Sequence, residues 1–143
     1  ALNNNTFDMF AEMKTACLLQ NATQKNAAAL TAQTALEMAT INGARAIGRE
    51  DDLGSLVAGK LADIVLIDVR RPNTYPVHDV LSNLVFATNS TNVHSVFIGG
   101  RRVLENGRAV GMDESALLAR AQERAEIVRS KLGFVTSNTW QTK

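Results

Sequence analysis

Hydrophobic and polar residues repeat with two different periods along the chain, and the period changes near Gly48. Before Gly48, apolar residues recur every three or four positions, as they do on one face of a helix. This spacing predicts helices at Asp8–Leu19 and Gln33–Ala46, separated by the polar segment Asn21–Lys25. Gly48 is suited to end the second helix because glycine readily adopts the left-handed backbone conformation.

After Gly48, the apolar residues come in short runs rich in β-branched side chains, which are typical of strands. The unbroken run Ile64–Ile67 lies between Asp63 and Asp68, and it predicts a strand that is buried on both faces. The segment Val80–Thr88 predicts a short turn leading into a strand, and Val93–Ile98 predicts the next strand. The first half of the chain is therefore predicted to be helical and the middle to form a sheet.

Two turn signals and a capped helix complete the pattern. Gly99-Gly100 predicts a two-residue hairpin to a returning strand at Arg101–Leu104, and Glu105-Asn106-Gly107 predicts a further turn. Asp113 is placed to cap a last amphipathic helix, Glu114–Leu132. The predicted fold class is α+β, with helices around a small antiparallel sheet.

Length and composition narrow the classes of function. The 143 residues suffice for one compact domain but fall far short of the roughly 250 residues of a complete (β/α)8 barrel. A formal net charge of +1 gives no field for nucleic acid or a membrane surface, and we expect neither as a partner. The single cysteine, Cys17, is predicted to be a buried apolar residue, and one cysteine fits a reducing, cytoplasmic compartment. Because the chain begins with Ala1 rather than methionine, we expect a fragment of a longer protein.

Several motifs, in order, carry a resemblance to a known family. Residues 54–68 read Gly-Ser-Leu-Val-Ala-Gly-Lys-Leu-Ala-Asp-Ile-Val-Leu-Ile-Asp and resemble the signature near the C-terminal end of the amidohydrolase superfamily. Residues 34–48 are similar to the last helix before the sandwich domain of that family, and residues 93–108 to its closing hairpin. Within the superfamily, the chain most resembles the methylthioadenosine/S-adenosylhomocysteine deaminases and the triazine-type chlorohydrolases.

The resemblance implies a division of the chain. Such enzymes combine a (β/α)8 barrel with a small β-sandwich, so residues 1–48 would be the helical end of the barrel. Residues 49–112 would then be part of the sandwich, and residues 113–143 a C-terminal helix and tail. The complete family enzyme is expected to hold zinc or iron. Its metal-binding aspartate would lie upstream of Ala1, and we expect no cofactor in this chain.

The residues themselves support no active site. A catalytic zinc site needs about three protein ligands, whereas the chain has only His78 and His94, in no metal-binding spacing. No catalytic residue and no metal ligand is therefore assigned. The resemblance places Asn3, Asn4 and Asn5 beside the active site of the family, as candidate substrate-binding residues, while their composition alone favours a loop leading into a helix.

Two functions remain open at this point. In the first, the chain is the C-terminal segment of a metal-dependent hydrolase that acts on C–N or C–Cl bonds of aminated heterocycles, and it is inactive alone. In the second, it is a stand-alone structural or self-associating binding module derived from that fold. We expect a homo-oligomer or the missing barrel portion as its partner, since the apolar helical faces need cover.

Overall fold

A computed structural model of the chain describes residues 7–133. These residues form two units, one extending to Val110 and the other starting at Gly111, and each is described by itself. The first unit combines four helices with a four-stranded sheet, and the second is a single helix. The predicted mixture of helices and a small antiparallel sheet is confirmed.

Helix α1 spans Met9–Gln24, so it continues past the predicted end at Leu19. The expectation that a polar break begins at Asn21 is wrong, because the polar residues there continue the helix up to Lys25, which adopts a left-handed conformation. The Asn21 side chain instead secures the loop that follows. Its oxygen accepts a 2.8 Å hydrogen bond from the amide of Leu30.

The second predicted helix is divided into α2, Ala32–Ala39, and α3, Ile41–Ala46. Thr40 separates them with φ −125° and ψ −97°, a non-helical conformation. The break adjoins a close packing contact that helical spacing does not reveal. The backbone of Gly54 approaches it so closely that an added Cβ would lie 2.7 Å from the Cα of Ile41.

A small core joins three of the helices. Met13 and Cys17 of α1, Ala35 of α2 and Val85 of α4 (Val80–Phe86) form one buried cluster. Cys17 is fully buried, which confirms the interpretation of this cysteine as a core residue, and burial raises the pKa of its thiol.

The sheet is antiparallel and its strands follow in chain order. The strands are β1, β2, β3 and β4, spanning Ile64–Ile67, Val93–Ile98, Arg101–Glu105 and Arg108–Ala109. Gly99 and Gly100 join β2 to β3 with φ values of 55° and 77°. Positive φ at both central residues defines the type I′ turn that matches the twist of paired strands. The predicted hairpin is therefore confirmed.

Strand β1 lies where the sequence predicts it, but the expectation that both of its faces are buried is wrong. Val65 is 51% exposed and Leu66, on the opposite face, is 47% exposed. β1 is an edge strand that pairs only with β2 among the described residues. Both faces of this apolar strand are therefore partly exposed within residues 7–133.

The segment predicted as a turn into a strand is helix α4. The Asp79 side chain accepts a 2.6 Å hydrogen bond from the amide of Ser82, which caps the first turn. Leu81, Leu84 and Val85 have the spacing of one helical face, and Val85 is completely buried in the core. The strand prediction failed because a run of seven residues is too short to separate a helical period from a strand.

A buried polar network fixes the connection between β1 and β2. The Asn92 side chain is fully buried, and its amide nitrogen donates to the carbonyl oxygen of Asp68 at 3.0 Å. Its oxygen accepts bonds from the Asn73 side chain at 2.8 Å and from the amide of Asn89 at 3.1 Å. Thr74, which is also buried, lies 3.4 Å from the same amide nitrogen. This network ties the two ends of the long connection from residue 68 to residue 92 to each other.

The second unit is helix α5, Glu114–Leu132, and its predicted bounds are confirmed. The Asp113 side chain accepts a 2.9 Å hydrogen bond from the amide of Ala116, as expected of an N-cap. Gly133 ends the helix in the left-handed conformation. Each residue of α5 is exposed.

Candidate functional site

An apolar cleft of about 790 Å³ opens in the first unit. It is bordered by the start of α1, by α2 and α3, by residues 53–56, and by β1 and β2. Its walls include Phe10, Met13, Leu36, Ile64 and Val96. The cleft thus separates the helical layer from the sheet, two layers that usually pack against each other directly.

Large apolar side chains extend from the rim of the cleft into solvent. Phe7 is 97% exposed and Leu56 is 77% exposed, and both border the cleft. Exposed apolar groups around a concave apolar surface mark a place where another molecule or segment binds. The cleft therefore has the character of a packing surface.

The carboxylates of the cleft are already engaged in structural hydrogen bonds. One oxygen of Asp63 accepts a 2.6 Å bond from the amide of Gly99, which fastens β1 to the first hairpin. One oxygen of Asp8 accepts from the amide of Phe10 at 2.9 Å and the other from the amide of Ser90 at 3.1 Å. Both carboxylates therefore serve as acceptors for backbone amides of the fold.

Asp8 joins two parts of the fold that are far apart in sequence, the start of α1 and the turn before β2. Partial burial raises the pKa of the Asp8 carboxyl, but hydrogen bonds from Ser90, Ala11 and Phe10 outweigh this effect. The pKa is therefore held below its ordinary value. The charged form is favoured because it accepts these amide bonds.

This lowered pKa predicts a pH dependence of stability. The contribution of Asp8 should be fully present above the pKa of about 4 that the residue has in the unfolded chain, and it should be lost as the pH falls through the lower folded value. Asp8→Asn keeps a capping side chain but removes the charge. We expect urea unfolding of this variant to depend less steeply on pH between pH 5 and pH 2. An unchanged pH slope would contradict the role given to Asp8.

The histidines predicted not to be ligands are separated and exposed. His94 is the second residue of β2, and its Nδ1 lies 2.9 Å from the hydroxyl oxygen of Ser95. His78 lies on the loop before α4. Within residues 7–133, no group of three or more His, Cys, Asp or Glu residues could hold a metal ion. The candidate substrate-binding residues Asn3, Asn4 and Asn5 lie outside the described residues, so their assignment stays a prediction.

The segment Thr40–Ala44, considered above only as part of a helix, lies beside the cleft. Thr40, Gly43 and Ala44 line the cleft, and Ala44 is also buried. The sequence signal for the cleft is Gly54 in the loop before β1, because it lines the cleft and supplies the close approach to α3. No helix in the described part of the chain is long and apolar enough to cross a membrane.

Curated relatives resemble the chain along most of its length. It is 40% identical over 124 residues to a 5-methylthioadenosine/S-adenosylhomocysteine deaminase of Moorella thermoacetica. This alignment covers 87% of this chain and 29% of the relative. An S-triazine hydrolase of Gordonia rubripertincta is 35% identical over 144 residues, covering 97% of this chain and 30% of the relative. The chain therefore spans less than a third of the length of these relatives.

A solved structure shares the fold. An adenosine deaminase from Xanthomonas campestris, solved with bound zinc, superimposes with a TM-score of 0.83 at 40% identity. The match covers 85% of this chain and 28% of that one. The model of the amidohydrolase family matches residues 1–103, which is most of the chain. The chain therefore belongs to the amidohydrolase family.

Proposed function

We propose that this chain is the C-terminal segment of a metal-dependent amidohydrolase that hydrolyses C–N or C–Cl bonds of aminated heterocycles, and that it is inactive alone. Its relatives are named as deaminases of adenosine derivatives and as a triazine hydrolase. The observation that carries the proposal is the apolar cleft, which opens between two layers of a chain that spans about 29% of its relative from Moorella. The rest of the family fold would fill this cleft.

The residues of this chain fit a supporting role and do not fit a metal site. The described residues contain no group able to hold a metal ion, so no step of a hydrolytic reaction is assigned to them. Zinc or iron bound by other parts of a complete enzyme would supply an activated water. The contribution of this chain is to present the cleft walls and the unpaired side of β1, which accept a helical layer and a further strand.

The edge of β1 supports this role independently. β1 has a hydrogen-bonded neighbour on one side, β2, and no charged or proline residue within Ile64–Ile67 protects the other side. An unprotected apolar edge strand in a natural protein is usually paired or covered. An added strand would pair with the free backbone groups of β1 and extend the sheet of the sandwich that the resemblance implies.

A chimeric enzyme tests the supporting role. In the Xanthomonas adenosine deaminase, the region matched by this chain is replaced by this chain, and ammonia release from adenosine and zinc content are measured. We expect the chimera to fold, hold zinc and deaminate adenosine, whereas the same enzyme truncated at the junction should be inactive. A chimera carrying Gly59→Ala is the control variant, because Gly59 does not line the cleft. A folded, zinc-loaded chimera without activity, or activity of the 143-residue chain alone, would contradict the proposal.

To determine the substrate class, a complete protein in which this segment follows its own upstream region is assayed. We expect release of ammonia from at least one of methylthioadenosine, S-adenosylhomocysteine, guanine or an amino-triazine. Inactivity on every aminated heterocycle in that panel would remove the deaminase assignment while leaving the family membership intact.

A second candidate function is a stand-alone module that self-associates, and the exposure of Phe7 and Leu56 at the cleft favours it. Two copies that cover each other's clefts would form a dimer, and this dimer would form without any upstream region. Light scattering of the purified chain separates the two candidates. A stable dimer that resists dilution and binds no apolar dye supports the module, while a dye-binding chain that gains order on joining the upstream region supports the enzyme segment.

A further inference from the structure

The chain contains two Asn-Gly pairs, and the fold places them in different surroundings. Asn106-Gly107 forms the turn between β3 and β4, where both residues are exposed and have φ values of 50° and 75°. Asn42-Gly43 lies within helix α3. Because the two pairs contain the same residues, a difference in their reactivity in the folded chain would arise from the structure around them.

The turn at Asn106 leaves its reactive groups unengaged. In a two-residue hairpin turn, the closing hydrogen bond joins the residues on either side, so the amide of Gly107 takes no part in it. Within residues 7–133, the Asn106 side chain makes no hydrogen bond. Gly107 has no Cβ that could stand in the way, so the side-chain amide of Asn106 can approach the backbone nitrogen that follows it.

Little structure holds this turn in place. Strand β4 consists of two residues, Arg108 and Ala109, and among the described residues it pairs with β3 alone. Short hairpins at the end of a sheet open at a low cost in free energy. Brief opening allows the backbone of Asn106 to become extended, which brings its Cγ within reach of the nitrogen of Gly107.

The other Asn-Gly pair is held more firmly. The Oδ1 atom of Asn42 accepts a 2.8 Å hydrogen bond from the Arg45 side chain. The amide of Ala44 donates to the carbonyl oxygen of Thr40 at 3.0 Å, and this helical bond spans the pair. The extended backbone needed for reaction at Asn42 is therefore reached only when α3 unfolds locally.

We propose that Asn106 is a site of spontaneous deamidation, at which the side chain is converted to aspartate and isoaspartate. The amide nitrogen of Gly107 loses its proton to hydroxide and attacks Cγ of Asn106, and the new N–C bond closes a succinimide ring. The bond from Cγ to the side-chain nitrogen breaks, and this nitrogen takes a proton from water and leaves as ammonia. Water then opens the ring, at the side-chain carbonyl to give aspartate or at the backbone carbonyl to give isoaspartate.

This modification would alter the hairpin. Either product carries a negative charge, which cancels the formal net charge of +1. Isoaspartate also routes the backbone through the former side chain and lengthens the turn by one carbon. Since pairing of Glu105 with Arg108 requires a two-residue turn, isoaspartate should release β4 from β3. The proposal is independent of the enzymatic role.

Mass spectrometry of the folded 143-residue chain, incubated in mildly alkaline buffer and then digested with trypsin, tests the proposal. Cleavage after Arg102 and Arg108 gives a peptide in which Asn106 is the sole asparagine. Deamidation raises the mass of this peptide by about 1 Da. We expect Asn106 to react at least about tenfold faster than Asn42, because the turn opens more often than α3. In urea, where both pairs are unfolded, the two rates should become similar.

Gly107→Ala and Gly111→Ala are a matched pair of variants. The two glycines have φ values of +75° and +74°, and an added Cβ would meet nothing within 4 Å at either. Gly107→Ala should suppress the reaction of Asn106, because the added methyl group hinders attack by the adjoining nitrogen, whereas Gly111→Ala should leave it in place. Circular dichroism shows whether both variants remain folded.

Three results would overturn the proposal. The first is equal deamidation of Asn106 and Asn42 in the folded chain. The second is reaction of Asn106 in urea alone, and the third is an undiminished rate in the Gly107→Ala variant. An isoaspartyl methyltransferase should methylate the incubated chain, and failure to do so in a chain that has gained the mass increase would refute the isoaspartate product.

Discussion

The substitution Gly54→Ala should lower the free energy of unfolding by about 2–5 kcal/mol. For a chain of this size, that loss is a large part of the total free energy of unfolding. An added Cβ would lie 2.7 Å from the Cα of Ile41, 2.9 Å from the Cβ of Ala44 and 3.0 Å from the carbonyl oxygen of Thr40. Two of these three atoms belong to backbone, which cannot move aside as a flexible side chain can. The loop before β1 would therefore be forced away from α3.

Gly59→Ala is the matched control for this effect. Gly59 has φ +96°, close to the +82° of Gly54, but an added Cβ would meet nothing within 4 Å. The control carries the cost of a positive φ, about 1–2 kcal/mol for a residue with a Cβ, without the collision. Urea unfolding of both variants measures the difference. Equal losses of stability at the two positions would show that the close approach of residue 54 to α3 is not tight in solution.

The second large effect is expected at Asn92. Asn92→Ala should cost about 3 kcal/mol, because it removes the side-chain donor to the Asp68 carbonyl oxygen and the acceptor for the Asn73 side chain and the Asn89 amide. Asn92→Asp should also be destabilising, since it replaces a donor with an acceptor opposite the Asp68 carbonyl oxygen. Both variants leave the apolar core unchanged.

Asn42→Ala provides the comparison for Asn92. The Asn42 side chain accepts one 2.8 Å bond from Arg45 on an exposed part of α3. Its removal should change stability by no more than about 0.5 kcal/mol. Thermal unfolding followed by circular dichroism measures all three variants. A loss at Asn92 as small as that at Asn42 would mean that water replaces the network.

The elements that the sequence predicted well are those with a local cause. The hairpin at Gly99-Gly100 needs only two residues able to adopt positive φ, and α5 begins at a capping aspartate, Asp113, and ends at Gly133. Such signals lie within a few residues of the feature that they determine. They are therefore readable without knowledge of the tertiary structure.

Two of the errors have non-local causes. The break at Thr40 adjoins the approach of Gly54, fourteen residues later, and the exposure of Val65 depends on what lies on either side of the sheet. The candidate cleft was likewise not predicted, because its walls come from segments as distant as Phe10 and Val96. Family resemblance supplied the assignment of the chain, whereas residue patterns supplied most of the element positions.

The order of the strands has a consequence for how the sheet forms. Strands β2, β3 and β4 are joined by two-residue turns, so their pairing closes very short loops. Pairing of β1 with β2 requires closure of the segment between Ile67 and Val93, at an entropic cost of about 3 kcal/mol for a flexible loop of that length. The hairpins should form within microseconds and β1 should join them last. The same strand should open first in the folded protein, so its amides should exchange with solvent deuterium sooner than those of β2.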